Sequence, residues 1–256
     1  MQWWRTAMDL IYCLWRRQVM AYLRAPGRVF SALAQPFLFL VALGLGFSPI
    51  YQQAGRGDYF AFLVPGVLGS CILFNTVFAG NDLLWDRQFG FIKETMVAPA
   101  SRTCILFGRA LGVTTVALIQ AVLVGVVCSV AGLHKVPAGG VLIAFGFAVL
   151  IAIFFSFIGS ILGSILKDTQ SFGQIVNFVA TPLFYLSGAV FPLEGQKLLV
   201  VTLTSLNPLS YGIDGMRGAL GGQYYYDPLM SVFILIVVNI VAAFAATFAF
   251  SRVRPD

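Results

Sequence analysis

The stretch VPAGGVLIAFGFAVLIAIFFSFIGSILGSIL, residues Val136–Leu166, contains no Asp, Glu, Lys or Arg. A run of roughly 20 apolar residues is enough for an α-helix to cross the hydrocarbon core of a bilayer. Five further segments share this property: Val29–Tyr51, Tyr59–Asn81, Ala110–Leu133, Thr169–Leu193 and Pro228–Ser251. The sequence therefore predicts an all-α polytopic membrane protein with six transmembrane helices.

The composition excludes most other classes of protein. The chain of 256 residues is 59% hydrophobic and only 10% charged, whereas soluble domains carry about 25% charged residues. A soluble enzyme, a disulfide-linked secreted domain and a disordered tail are therefore all excluded. The net charge of +6 does not indicate a nucleic-acid partner, because the basic residues lie between the apolar segments.

The distribution of these basic residues predicts the orientation in the membrane. Cytoplasmic loops of membrane proteins are enriched in Lys and Arg. Twelve of the 16 basic residues fall on one side if the six segments all cross: Arg5, Arg16, Arg17, Arg24, Arg28, Arg87, Lys93, Arg102, Arg109, Lys167, Arg252 and Arg254. The other side holds Arg56, Lys135, Lys197 and Arg217. We therefore expect both termini in the cytoplasm.

Two segments outside the six spans have patterns of their own. In residues 1–28, Trp3, Leu10 and Leu14 share one helical face with Ala7 and Ile11, and charged residues lie opposite. This pattern predicts an amphipathic helix in the cytoplasmic interface, either as an anchor or as a contact for a partner. Leu198–Ile213 is too short to cross, and Asn207-Pro208 interrupts it, so we expect a re-entrant or interfacial element.

The sequence lacks the chemistry of a self-powered machine. It has no Walker phosphate-binding loop, which is the common ATP-binding motif, and it has one histidine, His134. The six spans contain no ionisable carboxylate or amine in their interiors, although proton-coupled transporters depend on such groups. We therefore expect no catalytic residue, no metal site and no cofactor in this chain, and an energy source in another subunit.

The cytoplasmic connection Asp86–Arg109 contains a short amphipathic stretch, Phe91–Val97, which Pro99 ends. The pattern alone fits either a contact for a soluble partner or a solvated helix that rests on the bilayer. Its sequence RQFGFIKETMVAPASR resembles the cytoplasmic loop of type-2 ABC exporter permeases, above all the daunorubicin-resistance and nodulation-factor subgroup. A second block, Asn207-Pro208-Leu209-Ser210-Tyr211 with Asp214 and Arg217, resembles the NPLxY…D…R element of the same permeases.

This resemblance implies an organisation for the whole chain. Residues 1–28 would form an interfacial helix and residues 29–256 a six-span transmembrane domain, with a coupling helix after span two and outer re-entrant helices before span six. Such permeases work in pairs, with two separate ATP-binding-cassette ATPases that bind ATP and Mg. The ATPase-coupling residues would be Arg87, Gly90, Phe91, Ile92, Lys93 and Glu94. The outer re-entrant motif would comprise Asn207, Pro208, Tyr211, Asp214 and Arg217.

The resemblance thus indicates the permease subunit of an ABC exporter in a bacterial inner membrane, with a second permease copy and membrane lipid as partners. The uncharged spans favour an amphipathic cargo such as a drug, a lipid or a lipid-linked glycan. The alternatives are an ion-coupled secondary transporter or channel and a membrane-embedded enzyme.

Two residue patterns predict local contacts. Asp214 and Arg217 are three residues apart, which allows an ion pair on a helical turn. Ser156, Gly159, Ser160, Gly163 and Ser164 allow a close helix approach, within one subunit or at a dimer contact.

Overall fold

The computed structural model describes residues 2–53, 58–91, 101–131 and 137–252. Every regular element in these ranges is an α-helix, which confirms the predicted all-α class. The helices are α1 (Gln2–Leu23), α2 (Pro26–Gln53), α3 (Tyr59–Phe78), α4 (Gly80–Gln88), α5 (Arg102–Ala131), α6 (Ala138–Ile165), α7 (Thr169–Tyr185), α8 (Leu198–Ser205), α9 (Pro208–Ala219) and α10 (Pro228–Ser251).

Five stretches of the described chain are long and apolar enough to cross a membrane. They are Leu33–Gln53, Tyr59–Gln88, Arg102–Val130, Ala138–Ile165 and Pro228–Ser251. The predicted fifth span, Thr169–Leu193, differs from expectation because its helix, α7, ends at Tyr185 after 17 residues. At a rise of 1.5 Å per residue such a helix is about 25 Å long, whereas the hydrocarbon core is about 30 Å thick. A turn follows, with Gly188 in the left-handed region at φ 69°.

Helix α6 lies at the centre of the bundle and contacts α3, α4, α5, α9 and α10. Its side chains Ile151, Ala152 and Phe155 are almost completely buried. They belong to the main hydrophobic core, which also includes Phe172 of α7 and Leu209 of α9. Because five elements pack on one helix, the position of α6 determines where the others lie.

A very close backbone contact joins α6 to the junction of α3 and α4. A Cβ atom on Gly80 would lie 2.0 Å from the carbonyl oxygen of Gly159, and one on Gly163 would lie 2.3 Å from the carbonyl oxygen of Gly80. A Cβ on Gly159 would meet the carbonyl oxygen of Thr76 at 2.7 Å. These small residues therefore pack two helices backbone to backbone within one chain, the first of the two alternatives that the sequence left open.

Helix α1 packs lengthwise along the first half of α5. Leu14 is buried in a cluster with Ile105, Leu106 and Ala110, and the indole Nε1 of Trp15 donates to Thr115 Oγ1 at 2.9 Å. A helix is present where the sequence predicts an amphipathic one, and Leu10 and Leu14 of the predicted apolar face pack against protein. Its placement in the membrane interface stays a prediction.

Two short helices follow the turn after α7. Helix α8 exposes Leu198 and Leu199, whereas Leu209, Ile213 and Met216 of α9 are buried against the core. The predicted element Leu198–Ile213 is thus two helices with a break before Pro208, which is the first residue of α9. A proline there is expected, because the first N–H of a helix has no partner within the helix.

The glycine contact gives a first test. Gly159→Ala should lower the free energy of unfolding by about 1–3 kcal/mol, because the added methyl group meets backbone atoms that cannot move aside. Gly146→Ala on the same helix is the matched control, since a Cβ there meets nothing within 4 Å. Thermal unfolding of the two purified variants measures the difference. Equal midpoints would show that the contact is looser than described.

Candidate functional site

One end of the bundle carries a buried carboxylate between two arginines. Asp86 of α4 has 9% of its surface exposed. Its Oδ1 accepts a hydrogen bond from Arg17 Nη2 of α1 at 2.9 Å, and its Oδ2 accepts one from Arg109 Nη1 of α5. We call Arg17, Asp86 and Arg109 the Asp86 cluster. It joins three helices through charge-assisted hydrogen bonds, which are stronger than neutral ones.

The next residue, Arg87, bonds to the end of α6. Its Nη1 donates to the carbonyl oxygens of Gly163 at 3.1 Å, Ser164 at 2.7 Å and Leu166 at 3.1 Å. The last carbonyl groups of an α-helix have no partner within the helix, and a cation there also interacts favourably with the helix dipole. Arg87 therefore caps α6 and fixes the end of α4 against it.

The connection between α6 and α7 adds two contacts at the same end. Gln88 Nε2 donates to the carbonyl oxygen of Lys167 at 3.1 Å. Asp168 caps α7, since its Oδ1 accepts from the backbone N–H of Ser171 at 2.7 Å. Hydrogen bonds from Ser171 lower the pKa of the Asp168 carboxyl below its usual value, so the cap is charged at neutral pH.

The chain turns sharply where the predicted coupling residues begin. Gly90 has a φ of 78°, a conformation that glycine adopts without the cost paid by other residues. Phe91 follows with half of its surface exposed. The guanidinium carbon of Arg17 lies 6.0 Å from the centroid of the Phe91 ring. Arg87, Gly90 and Phe91 thus lie together beside the Asp86 cluster. Ile92, Lys93 and Glu94 lie outside the described residues.

Sequence reasoning missed Asp86 and Arg17 as members of this site. The sequence places Asp86 at the start of a cytoplasmic connection, and there Arg17 and Arg109 serve only to predict orientation. The available signal is a carboxylate shortly after an apolar span, followed directly by the basic residue Arg87. Such a carboxylate needs a cationic partner when it is buried.

The Asp86 cluster predicts a stability difference. Asp86→Asn should lower the free energy of unfolding by about 1–3 kcal/mol, because two arginines lose a charged acceptor. Asp9→Asn is the matched control, since Asp9 is an exposed carboxylate on α1. Thermal unfolding in the same detergent compares them. If both substitutions shift the midpoint equally, the cluster does not stabilise the fold.

The opposite end of the bundle contains the predicted outer motif. Asn207 bridges two helices: its Oδ1 accepts from the backbone N–H of Leu209 at 3.1 Å and so caps α9. Its Nδ2 donates to the carbonyl oxygens of Leu183 at 2.6 Å and Leu186 at 3.2 Å. The Tyr211 hydroxyl donates to the carbonyl oxygen of Ser205 at 2.8 Å. These bonds hold the α8–α9 break against the end of α7.

The predicted ion pair between Asp214 and Arg217 is wrong. Both residues belong to the described part of the chain, and each has different partners. Asp214 accepts backbone N–H bonds from Tyr225 at 3.0 Å and Tyr226 at 2.9 Å. Arg217 Nη2 donates to the carbonyl oxygen of Gly188 at 2.9 Å, and its guanidinium carbon lies 3.9 Å from the ring centroid of Phe62.

These separate partners give the two charges separate structural roles. Asp214 fixes the segment that leads into α10. Arg217 connects α9 to the turn after α7 and to α3. Both ions are compensated by backbone dipoles and an aromatic ring, which substitute for the hydration lost on burial.

Asn207 gives a test at this end. Asn207→Ala should destabilise the protein by about 1–2 kcal/mol, the usual cost of a lost helix cap. Asn177→Ala serves as the control, because Asn177 is exposed on α7. Chemical denaturation of both variants measures the difference. A control that is destabilised as much as Asn207→Ala would argue against the bridging role.

The long apolar helices and the polar contacts at the two ends of the bundle are those of a helical multi-pass membrane protein. The family model for the ABC-2 type transporter matches residues 9–220. The chain therefore belongs to the ABC-2 type transporter family, and it is a membrane subunit of an ABC transporter.

Named relatives agree with this family. The chain is 30% identical over 190 residues to the inner membrane transport permease YadH of Escherichia coli, with 72% of each chain covered. It is 25% identical over 240 residues to nodulation protein J of Rhizobium leguminosarum bv. trifolii, with 91% of this chain and 90% of the relative covered. It is 26% identical over 210 residues to the putative transport permease ycf38 of Cyanophora paradoxa, with 81% of this chain and 72% of the relative covered.

Proposed function

We propose that the chain is the permease subunit of an ATP-driven exporter. In this proposal α2, α3, α5, α6, α7 and α10 cross an inner membrane, and the end with the Asp86 cluster faces the cytoplasm together with both termini. The positive-inside distribution of the basic residues supports this orientation. Helix α7 would complete its crossing with the turn that follows it.

The observation that carries the proposal is the set of bonds at the base of the coupling segment. Arg87 bonds to α6, and Asp86 bonds to α1 and α5. Gly90 starts the segment immediately beyond these bonds. A partner that displaces residues 90–94 would therefore pull on three helices at once. Such a connection would transmit the motion of a soluble subunit into the membrane.

The partner would be an ATP-binding-cassette ATPase that binds ATP and Mg, since this chain has no phosphate-binding loop of its own. A second permease copy would complete the transporter. The cargo would be amphipathic, because no ionised side chain lies within the predicted spans to compensate a highly charged solute. A drug, a lipid or a lipid-linked glycan satisfies this condition.

Reconstitution tests the proposal. The chain should co-purify with an ATPase, and vesicles that contain both should accumulate an amphipathic cargo only when ATP is supplied. Vesicles with the chain alone serve as the comparison. Accumulation by the chain alone, driven by an ion gradient, would overturn the proposal and favour a secondary transporter.

Gly90 provides a sharper test of coupling. Gly90→Val should reduce transported cargo per ATP hydrolysed, because a β-branched residue is strained at positive φ and shifts the coupling segment. Gly173→Val is the control, since both glycines have open space around a Cβ and only Gly90 has a positive φ. Equal coupling ratios in the two variants would show that the turn at Gly90 is not needed.

A further inference from the structure

The outward face of helix α7 is polar, although the helix belongs to a predicted membrane span. Four polar side chains follow each other at intervals of four, three and four residues: Gln170, Gln174, Asn177 and Thr181. At 100° per residue these positions fall within an arc of about 60° on one side of the helix. The first three residues are exposed and the fourth is partly buried. We call these four residues the α7 stripe.

The opposite face of α7 is apolar and buried. Phe172, Val176 and Ala180 belong to the main hydrophobic core, and each has at most 1% of its surface exposed. Helix α10 has the reverse arrangement: Phe244 is 74% exposed, whereas Ala246 is completely buried. Thus α7 presents polar groups on its outward side, where α10 has the apolar side chains that suit contact with lipid.

The carboxamides of the α7 stripe have no hydrogen-bond partner within their own protomer. Among the described residues, no side chain or backbone group bonds to the side chain of Gln174 or Asn177. Each carboxamide has two donors and an acceptor, and hydrocarbon offers these groups no partner. The α7 stripe therefore requires contact with water or with another protein surface.

The length of α7 leads to the same conclusion from a different observation. The helix has 17 residues and is therefore about 25 Å long, whereas the hydrocarbon core is about 30 Å thick. A short helix that faces lipid thins the bilayer or associates with another helix. A helix that is covered by protein on both faces does not need to match the thickness of the bilayer.

A cleft of about 540 Å³ extends the polar surface from α7 to α2, with α3 as its floor. Asn177 and Thr181 line the wall formed by α7, Gln35 lines the wall formed by α2, and Ser70 and Asn75 line the floor. The side chain of Gln35 is exposed, as that of Asn177 is. The polar surface thus extends over three helices and is wide enough for a protein partner.

The chemistry of the α7 stripe favours a second copy of the same chain. A carboxamide is complementary to itself, because each group both donates to and accepts from an identical group. In a two-fold dimer the same surface patch of each copy meets its counterpart. Hydrogen bonds between carboxamides also hold membrane helices together. A soluble partner would reach only the first turns of α7, since Asn177 lies about 12 Å along the helix from Thr169.

We propose that two copies of this chain pair along the α7 stripe, so that Asn177 meets the same residue of the other copy. The cleft between α2 and α7 is then enclosed between the two copies. This inference rests on the proposed function, in which a second permease copy completes the transporter, and it specifies the surface that the two copies share.

Cysteine cross-linking of the full chain in proteoliposomes tests this pairing. The four native cysteines are first replaced by alanine: Cys13, Cys71, Cys104 and Cys128. Oxidation of Asn177→Cys in this background should join two copies by a disulfide, because the two sulfur atoms meet at the two-fold axis. Val241→Cys is the matched control and should remain a single chain, since Val241 is 61% exposed on α10.

A second measurement separates pairing from folding. Asn177→Leu should weaken dimerisation by about threefold to tenfold, which is the effect of a lost hydrogen bond between membrane helices. Energy transfer between donor-labelled and acceptor-labelled copies, followed while lipid is added, measures this change. The thermal midpoint of the separated protomer in detergent should stay the same, because Asn177 has no bond within its own chain. Gln223→Leu, at an exposed glutamine before α10, should change neither quantity.

Three results would overturn the pairing. Cross-links at Val241 in place of Asn177 would locate the contact on another face, while the two-copy transporter would remain. Unchanged dimerisation in Asn177→Leu would show that the α7 stripe contacts water only. Absence of energy transfer between wild-type copies would overturn both this pairing and the second copy in the proposed function. ATP coupling is measured separately, because neither experiment contains an ATPase.

Discussion

The C-terminal end of α6 leaves carbonyl groups that its own helix cannot satisfy, and the guanidinium of Arg87 supplies the missing hydrogen bonds. In an apolar environment an unpaired backbone group costs several kcal/mol, so every helix end in such a bundle needs a partner. The same solution recurs elsewhere. Asn207 bonds to the last carbonyl groups of α7, Arg217 to the turn after it, and Arg102 to Ser251 at the end of α10. Arg87, Asn207, Arg217 and Arg102 thus each join the end of one helix to a neighbouring element.

The sequence predicts the apolar helices well, because the absence of charge over some 20 residues is a strong constraint on what a segment can do in water. It predicts their limits less well. Arg102 and Arg109 lie inside α5, although the span predicted from the sequence begins only at Ala110. A helix can continue beyond the membrane when another element covers it, and α1 covers this part of α5. For α7 the predicted length is too great. The sequence stays apolar after Tyr185, but the backbone turns there and the helix ends.

The Asp214–Arg217 prediction shows why spacing alone is insufficient for side-chain partners. Two residues three apart on a helix are neighbours, but their own helix is only one of the surfaces they face. Backbone N–H groups of Tyr225 and Tyr226 and the carbonyl oxygen of Gly188 come from segments distant in sequence. The Asp86 cluster illustrates the same limit. Its three members come from three helices, and only the folded chain brings them together.

The glycine contact between α6 and the α3–α4 junction has a mechanical consequence. Helices whose backbones touch cannot slide or rotate past each other without steric overlap, so α3, α4 and α6 must move as one rigid body. The bonds of Arg87 reinforce this unit at one end. Helix α2 is far less enclosed, with 17% of its most apolar stretch buried. Displacement relative to this unit is therefore least constrained at the contact of α2, and the stiffness of the centre limits rearrangement to the surfaces around it.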